Sequence, residues 1–377
     1  MTAVGLIFSN IHDNSIPELT RKRTLGSVPF GGRYRLIDFT LSSMVNSGIS
    51  KIGIVTHNNY QSLLDHLGNG KDWDLARRSG GIKILPPYIT SFENAASNKY
   101  YTSRLEALMG TVHFLTRCTE DYVVMSDCDL ICNIDIKDVI ERHVESGADI
   151  TFVTKTDKVS RAAASDVVTV IQSDENDNVI EITERKAGEG IIQTYINMLV
   201  VKRQYLVNII NEAIARGYKS FLHDIMIRNV GVANYKVYKY EGWYAHIGSM
   251  ESYFECSMRL LTPEAREQLF NVKNSPVLTK VRNSAPTRYC AGAKVTNSVV
   301  AEGCIIEGTV ENSIIFRGVH VGKDAVVKNS ILFQDSYVCP RAELNCVITD
   351  KNVMIKDGRT LSGHESMPFY IGKDVTV

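Results

Sequence analysis

Short apolar runs alternate with amphipathic stretches along the first two thirds of the chain. The apolar runs have the length and composition of buried β-strands: Ala3–Phe8, Lys51–Thr56, Asp121–Met125 and Asp149–Thr154. The stretches between them space their apolar residues as an α-helix does: Leu41–Ser47, Ser62–Leu67 and Leu105–Thr116. Strands that alternate with helices predict a mostly parallel sheet, covered on both faces, that binds ligands at the carboxyl ends of its strands.

The last part of the chain follows a different pattern, in which Asn-Ser or Asn-Cys precedes two apolar residues. The repeat begins at Asn297, Asn312, Asn329 and Asn345, at steps of 15, 17 and 16 residues. Glycines punctuate β-branched residues at roughly hexapeptide spacing, which is typical of a parallel β-helix with three short strands in each coil. Stacked coils expose their ends, so we expect this domain to take part in oligomerisation.

Composition narrows the class of protein. Of 377 residues, 44% are hydrophobic and 22% charged, as in ordinary soluble globular proteins of about two domains. Lysine plus arginine and aspartate plus glutamate both number 42, which disfavours nucleic acid or an anionic membrane as partner. The sequence has neither a run of about 18 apolar residues nor a signal peptide, and its eight cysteines are scattered. We therefore expect a cytoplasmic protein with free thiols.

The loop after the first strand is unusual for an α/β protein. Loops that hold phosphates at a strand–helix junction need glycines, so that the backbone can approach the ligand closely. The segment Asn10–Ser15 (N-I-H-D-N-S) contains none. This junction is therefore not expected to grip a nucleotide in the usual way.

Two nearby segments carry a family signature: Val28–Phe39 (V-P-F-G-G-R-Y-R-L-I-D-F) and Asn46–Ile49 (N-S-G-I). They resemble the sugar-nucleotide pyrophosphorylases, most closely the ADP-glucose pyrophosphorylase (glucose-1-phosphate adenylyltransferase) family. The resemblance covers nearly the whole chain. It implies a Rossmann-like nucleotidyltransferase α/β domain at residues 1–258, a linker at 259–286 and a left-handed parallel β-helix at 287–377.

The resemblance assigns Mg²⁺ to two carboxylates, of which this chain keeps one. Asp129 takes the place of the first when the alignment is anchored on Asp135, and Asp127 takes it in the other register. His246 replaces the second. Because Mg²⁺ requires oxygen ligands, we expect no intact metal site and a hydrogen-bonded, structural His246 rather than a transition-metal ligand.

Residues that would contact the nucleotide are also replaced. Family members carry G-G-x-G-x-R at Asn10–Ser15, so their arginine falls at Ser15, and a lysine of theirs falls at Leu25. They carry G-T-A-[DE]-A within Tyr101–Ala107, where this chain has the bulkier Ser103–Leu105. We expect these three side chains to fill part of the nucleotide cleft.

The sugar side resembles the family more closely. Glu184 matches the family's glutamate, whereas Arg185 replaces a lysine that contacts glucose 1-phosphate. Asp224 matches an aspartate in a segment that has lost its glycine and lysine. By resemblance, these three residues form a vestigial substrate-binding set.

A basic segment is retained near the expected domain boundary. It contains Lys22, Arg23, Arg33 and Arg35. In the family this region contributes to a site for phosphorylated sugar effectors, and clustered Lys and Arg suit such anions. We expect these four residues to bind a sugar-phosphate effector or another anion.

The combined losses resemble those of a degenerate, regulatory subunit of the GlgD type. Such a subunit assembles with a catalytic GlgC-type subunit into a heterotetramer and regulates glycogen synthesis. It would need no cofactor itself, whereas the assembled enzyme would use Mg²⁺.

Two alternatives remain open from the sequence. Asp129, Glu184 and Asp224 are compatible with an active sugar-phosphate nucleotidyltransferase that has an altered site. A hexapeptide-repeat acyltransferase would need a catalytic histidine, and the repeat region offers His320 and His364.

Overall fold

A computed structural model describes residues 2–87, 101, 103–160, 162–164 and 166–377. The strands of the first domain are β1 (Ala3–Phe8), β2 (Pro29–Phe30), β3 (Tyr34–Arg35), β4 (Lys51–Val55), β5 (Gly81–Leu85), β6 (Tyr122–Asp127), β7 (Leu130–Cys132), β8 (Ile150–Lys158), β9 (Val167–Ser173), β10 (Val179–Lys186), β11 (Ile191–Lys202), β12 (Tyr235–Lys239) and β13 (Tyr244–His246). Nine of them form one sheet, in the order β10-β9-β11-β6-β1-β4-β5, with β8 beside β11 and β12 beside β8. The pairs β1–β4, β1–β6, β4–β5 and β8–β12 are parallel, which confirms the predicted parallel arrangement for the part β6-β1-β4-β5. The sheet as a whole is mixed, because β11 runs antiparallel to β6, β8 and β9, and β10 runs antiparallel to β9.

Helices cover both faces of this sheet. They are α1 (Pro17–Thr20), α2 (Leu36–Asn46), α3 (Gln61–Leu67), α4 (Arg104–Thr116), α5 (Ile136–Ser146), α6 (Arg203–Arg216), α7 (Met250–Arg259) and α8 (Pro263–Phe270). Successive side chains of β1 alternate between two hydrophobic cores, with Leu6 packed in the core of α4 and α6 and Ile7 in the core of α2, α3 and α5. A strand buried on both faces must be apolar throughout, which is why β1 appears as an uninterrupted apolar run.

The second domain is a left-handed parallel β-helix. Its strands are β14 (Arg288–Tyr289), β15 (Lys294–Thr296), β16 (Val299–Val300), β17 (Ile305–Ile306), β18 (Thr309–Glu311), β19 (Ile314–Ile315), β20 (His320–Val321), β21 (Val326–Lys328), β22 (Ile331–Leu332), β23 (Tyr337–Val338), β24 (Glu343–Asn345), β25 (Val347–Thr349), β26 (Met354–Ile355), β27 (Thr360–Ser362) and β28 (Phe369–Ile371). They form three parallel sheets of five strands each, one sheet for each side of the coil. This confirms the fold expected from the repeat.

The register of the fourth repeat differs from the sequence alignment. Lys328 pairs with Asn345 and Ile331 with Ile348, so Cys346, and not Asn345, occupies the position equivalent to Asn329. Asn329 and Cys346 both have positive φ angles, of 45° and 50°. The predicted start at Asn345 was therefore wrong by one residue, because the left-handed corner fixes the register and asparagine merely adopts that conformation more easily than other residues.

One hydrophobic core joins the two domains. The outward-facing row of the sheet containing β19 and β22 packs against α7 and α8 through Ile314, Ile331, Tyr253 and Leu269, all almost fully buried. A buried ion pair crosses the same boundary, with the guanidinium of Arg23 2.6 and 2.8 Å from the two carboxylate oxygens of Asp350. The α/β domain and the β-helix therefore hold each other in place through both apolar and charged contacts.

Candidate functional site

Two aspartates lie at the carboxyl end of β6, where the fold is expected to bind ligands. Asp127 is the last residue of β6 and pairs with Phe8 at the end of β1. Asp129 follows, and the antiparallel pair β7–β13 sets His246 opposite Leu130. Both carboxylates are only 1% exposed. The topology therefore brings Asp127, Asp129 and His246 together. The two aspartates that the sequence offered as alternatives for the metal carboxylate thus lie in the same cluster.

His12, from the loop that follows β1, contacts both aspartates. Its Nε2 lies 2.7 Å from Asp127 Oδ2 and 3.5 Å from Asp129 Oδ2. Burial disfavours a protonated imidazole here, but the charges of the two carboxylates and the hydrogen bond to Asp127 outweigh burial and raise the pKa of His12 to about 9. The imidazole is therefore a cation at neutral pH.

Arg104 provides a second cation. It is the first residue of α4, whose N-cap Ser103 accepts a hydrogen bond from the Glu106 amide. The Nη2 group of Arg104 donates a hydrogen bond to Asp127 Oδ2, and its guanidinium lies over the ring of Phe8. Arg104 thus reaches Asp127, and Leu105 is fully buried in the core that contains Leu6 and Phe8, whereas Thr102 of the same segment lies outside the described residues.

Asn197 completes the cluster from β11. Its Nδ2 donates to Asp129 Oδ2 at 2.7 Å, and its Oδ1 lies 3.4 Å from Arg104 Nη2. The pairing of β11 with β8 shifts register between Tyr195 and Leu199, and Asn197 has a φ angle of 58°. A bulge of this kind re-aims a side chain, which here turns the amide towards the aspartates.

His246 interacts with the same carboxylate. Its Nε2 lies 3.2 Å from Asp129 Oδ2. Burial opposes ionisation of Asp129, but the charge of His12 and the hydrogen bond and charge of His246 keep the pKa of that carboxyl below its usual range. His246 therefore makes the hydrogen bond expected of a structural histidine.

The glycine-poor loop is folded on itself through short helical turns, at Asp13–Ser15 and Leu25–Ser27. Asp13 Oδ1 accepts the Leu25 amide at 2.7 Å, and the Leu25 side chain is buried in the core shared by the two domains. Burial raises the pKa of Asp13 to about 7, against the effect of the Leu25 hydrogen bond. Leu25, which the resemblance places where family members carry a lysine, is thus an apolar core residue.

A cleft of about 510 Å³ adjoins Asp129. Its lining includes Asp129, Lys155, Glu184, Tyr195 and His246. The cleft is lined by both polar and apolar side chains and is large enough for a small polar ligand.

The predicted sugar-side residues divide between the cleft and its surroundings. Glu184 lines the cleft and lies 3.3 Å from His223, but the next residue on β10, Arg185, projects to the opposite face and is exposed. Asp224 accepts the backbone amides of Lys219 and Ser220, both at 2.9 Å, and these bonds lower the pKa of its carboxyl. Asp224 thus fixes the turn before the π-helical segment Phe221–Ile227.

The predicted basic residues lie at the boundary between the domains. Lys22 and Arg33 are exposed, whereas Arg23 and Arg35 are buried. Arg23 is held by Asp350, and Arg35 donates from Nη1 to the carbonyl and hydroxyl of Ser62 at 2.5 and 3.0 Å.

Two residues of the β-helix extend this basic region, Arg317 and Lys351. Burial, together with the charges of Arg35 and Arg23, lowers the pKa of Lys351 to about 7. Burial is also the main reason that the pKa of Arg35 falls to about 10, with Arg23, Arg282 and Arg317 contributing. We call Arg23, Arg33, Arg35, Arg317 and Lys351 the boundary cluster.

The histidines of the repeat region lie apart from this chemistry. His320 on β20 has its Nε2 3.2 Å from Glu307 and its ring edge-on to Tyr337. His364 is exposed and bonds to Ser366. Both are thus engaged by neighbours within the β-helix.

Sequence reasoning missed several of these residues. His12 and Asn197 were not identified, because single polar residues in a loop and a strand show no motif. The left-handed backbone of Asn197 is a conformation that asparagine favours, but a sequence alone does not reveal it. Arg317 and Lys351 were missed because they lie hundreds of positions from the basic segment that they approach.

Comparison with known proteins defines the class. A family model described as nucleotidyl transferase matches residues 16–263, and one described as GlmU-like, C-terminal hexapeptide matches residues 285–366. The chain is 33% identical over 372 residues to the glycogen biosynthesis protein GlgD of Bacillus subtilis (strain 168), which covers 98% of this chain and 95% of the relative.

Two further relatives agree. GlgD of Geobacillus stearothermophilus is 34% identical, over 86% of this chain and 82% of the relative. The glucose-1-phosphate adenylyltransferase of Pseudothermotoga lettingae is 30% identical, over 86% and 76%. The chain therefore belongs to the nucleotidyl transferase family that contains the GlgD proteins and the glucose-1-phosphate adenylyltransferases. Among the described residues, no helix is both long and apolar enough to cross a membrane.

Proposed function

We propose that this chain acts in glycogen biosynthesis as a non-catalytic, regulatory subunit of a glucose-1-phosphate adenylyltransferase. The observation that carries the proposal is the cluster at the end of β6. There, Asp127 and Asp129 are bound by His12, Arg104, Asn197 and His246 of the same chain.

The reaction catalysed by the family explains why this cluster supports a non-catalytic role. An oxygen of glucose 1-phosphate attacks the α-phosphate of ATP, and pyrophosphate leaves. Charge on the phosphates must be neutralised by a divalent ion and by positive side chains. In this chain Arg104 holds one of the candidate metal carboxylates, and the residue at the position of a phosphate-binding lysine, Leu25, is buried in the core. The groups needed for adenylyl transfer are thus engaged or replaced.

Assembly with a catalytic, GlgC-type paralogue would supply the missing chemistry. The sheet containing β17, β20, β23 and β26 turns an outward row to solvent, in which Ile305, Tyr337 and Met354 are 38, 37 and 45% exposed. Such a row on a parallel sheet supports our proposal that the β-helix contributes to the subunit contact in a heterotetramer. Truncating the β-helix would be a poor test, because its opposite face belongs to the shared core.

The boundary cluster is where we propose that a sugar-phosphate effector acts. Five cationic side chains from both domains meet there, and a bound phosphate would offset their mutual repulsion. Because Arg23 and Asp350 join the domains at this point, binding there would act on both domains together.

Purified protein provides the test of this function. With ATP, glucose 1-phosphate and Mg²⁺, pyrophosphate release by the isolated chain is expected to be at least 100-fold slower than by a catalytic family member, since each lost cation or metal contact typically lowers the rate by about that factor. Co-expression with a catalytic paralogue should yield a mixed complex whose response to effectors differs from that of the paralogue alone.

Two outcomes of these experiments would contradict the proposal. Turnover by the isolated chain within tenfold of a catalytic member would favour the active nucleotidyltransferase. If the chain formed no mixed complex with a catalytic paralogue, it could not act as a regulatory subunit. In the complex, Tyr337→Arg should weaken assembly, whereas Lys294→Glu, at an exposed position of the sheet that contains β15, should not.

A further inference from the structure

The two aspartates at the end of β6 are already bound through one oxygen each. Asp127 Oδ2 accepts from Arg104 Nη2 and lies 2.7 Å from His12 Nε2. Asp129 Oδ2 accepts from Asn197 at 2.7 Å and lies 3.2 Å from His246. The Oδ1 atoms of both aspartates have no hydrogen-bond partner among the described residues. The two carboxylates are placed as metal ligands would be, but one oxygen of each is already bound by other side chains of the chain.

The residues present do not fit the Mg²⁺ that the family implies. Mg²⁺ takes about six oxygen ligands in an octahedron at about 2.1 Å and replaces them reluctantly with nitrogen. This cluster offers two carboxylates beside two imidazoles. The ligand atoms of His12, Asp127 and Asp129 lie within 4.8 Å of one another, as a transition-metal site would require, but the guanidinium of Arg104 holds the Asp127 oxygen.

Arg104 is held in this position by more than its charge. Its side chain is 14% exposed and lies with the guanidinium carbon 5.8 Å from the centre of the Phe8 ring. The same Nη2 that donates to Asp127 lies 3.4 Å from Asn197 Oδ1. At the first position of α4 the helix dipole disfavours a cation, so the contact with Asp127 offsets an unfavourable placement.

We propose that Arg104, with His12 as a second donor, is the resident cation of this acidic pair and replaces the divalent metal ion. The native chain then takes up no divalent ion at Asp127 and Asp129. This inference does not depend on the regulatory role, because ion uptake is measured without substrate and without a partner.

The test removes the charge and keeps the packing. Arg104→Met retains an unbranched apolar stem over Phe8, and Arg104→Lys retains a positive charge. Electron paramagnetic resonance of Mn²⁺ measures free ion during titration of each full-length protein. Wild type and Arg104→Lys should bind no Mn²⁺ at this site, whereas Arg104→Met should bind about one ion per chain, at least tenfold more tightly than any site in the wild type. Mn²⁺ should also raise the Tm of Arg104→Met and leave that of the wild type unchanged.

A double variant locates the ion. Arg104→Met with Asp129→Asn removes the second carboxylate and should abolish the gain in Mn²⁺ binding. An equal affinity of Arg104→Met and wild type would overturn the proposal. So would visible Co²⁺ absorption bands in the wild type that disappear in His12→Asn, since they would reveal a native transition-metal site. If Arg104→Met does not fold, titrations of the wild type with Mn²⁺ and Co²⁺ still test the proposal. Stoichiometric binding of either ion at this cluster would contradict the proposal, and the absence of such binding would support it.

Discussion

The two buried carboxylates at the end of β6, Asp127 and Asp129, are bound by cationic and polar side chains of the same chain. The boundary cluster differs, because its five cations lie near only three carboxylates, those of Asp38, Glu302 and Asp350. Arg23 and Arg35 of the boundary cluster are buried like the two aspartates, whereas Arg317 and Lys351 are partly buried and Arg33 is exposed. In the first, the pKa of His12 is raised and that of Asp129 lowered, so each partner favours the charged form of the other. In the second, the pKa values of Arg35, Arg317 and Lys351 are all lowered.

This difference shows where a charged ligand would still gain free energy on binding. Arg104 and His12 already supply positive charge to the cleft, so a further cation would have to displace one of them. At the boundary, burial and repulsion between cations disfavour the charged forms, and an anion would relieve part of this cost. The comparison supports both proposals, that Arg104 takes the place of a metal ion at the two aspartates and that the boundary cluster binds an anion.

The largest expected effect comes from the paired part of the boundary. Asp350→Ala leaves Arg23 buried beside Arg35 and Lys351 without its carboxylate, and the free energy of unfolding should fall by about 3–5 kcal/mol. Urea denaturation measures this value. The exposed ion pair Arg341–Asp357 supplies the control, since Asp357→Ala should cost under about 1 kcal/mol. Equal losses in the two variants would contradict a buried, stabilising Arg23–Asp350 pair.

In the cleft, Arg104→Met should lower the free energy of unfolding by about 2 kcal/mol, less than Asp350→Ala because His12 still contacts Asp127. Adding Asp127→Asn removes the uncompensated charge and should restore part of the loss. A double-mutant cycle measures this coupling. If the two effects are additive, Arg104 and Asp127 do not stabilise each other.

For the effector site, Lys22→Ala with Arg35→Ala should raise the concentration of a sugar bisphosphate needed for half-maximal response of the mixed complex by about tenfold or more, because charge-assisted hydrogen bonds contribute about 1.5–3 kcal/mol each. Arg35 also holds Ser62, so size-exclusion chromatography must show an intact complex. Lys323→Ala with Arg341→Ala removes the same charge from the outside of the β-helix as a control. An unchanged response curve would mean that Lys22 and Arg35 take no part in effector binding and that Arg35 has a structural role alone.

The smallest effect concerns Lys351 and depends on pH. Its pKa is about 7 in the folded protein, against 10.5 for an ordinary lysine, which is the value expected in the unfolded chain. Between pH 7 and 10.5 the unfolded chain therefore binds more protons than the folded one, and the free energy of unfolding should rise with pH. Below pH 7 the charged form is retained beside Arg35, Arg23 and Lys373, with Asp350 as the opposing charge. Lys351→Met should therefore be more stable than wild type by about 1 kcal/mol at pH 7, and the difference should shrink by pH 9.

Denaturation curves at the two pH values test this sign. Lys323→Met, on an exposed part of the β-helix, should show no such change with pH. A wild type that loses stability relative to Lys351→Met as pH rises from 7 to 9 would show that the lysine is paired rather than repelled.

Much of the fold was evident in the sequence. The apolar runs around β1, β4, β6 and β8 were predicted to within a few residues, since strands buried on both faces must be apolar. The coils of the β-helix were recognised from the repeat, although the fourth was displaced by one residue because Cys346 occupies a corner usually taken by asparagine. The candidate site was less accessible. Arg104 was expected to fill space, but its ion pair with Asp127 was not anticipated.

The sequence by itself predicted the two architectures. Through the family resemblance it also predicted a loop without phosphate-binding glycines and a histidine, His246, in place of a metal carboxylate, because each of these depends on residues close together in the chain. The tertiary structure alone decided which charges meet. His12, Arg104, Asp127 and Asn197 come from a loop, a helix and two strands, and Arg23 meets Asp350 across the domain boundary. Coulomb energy depends on distance and burial, and neither follows from position along the chain.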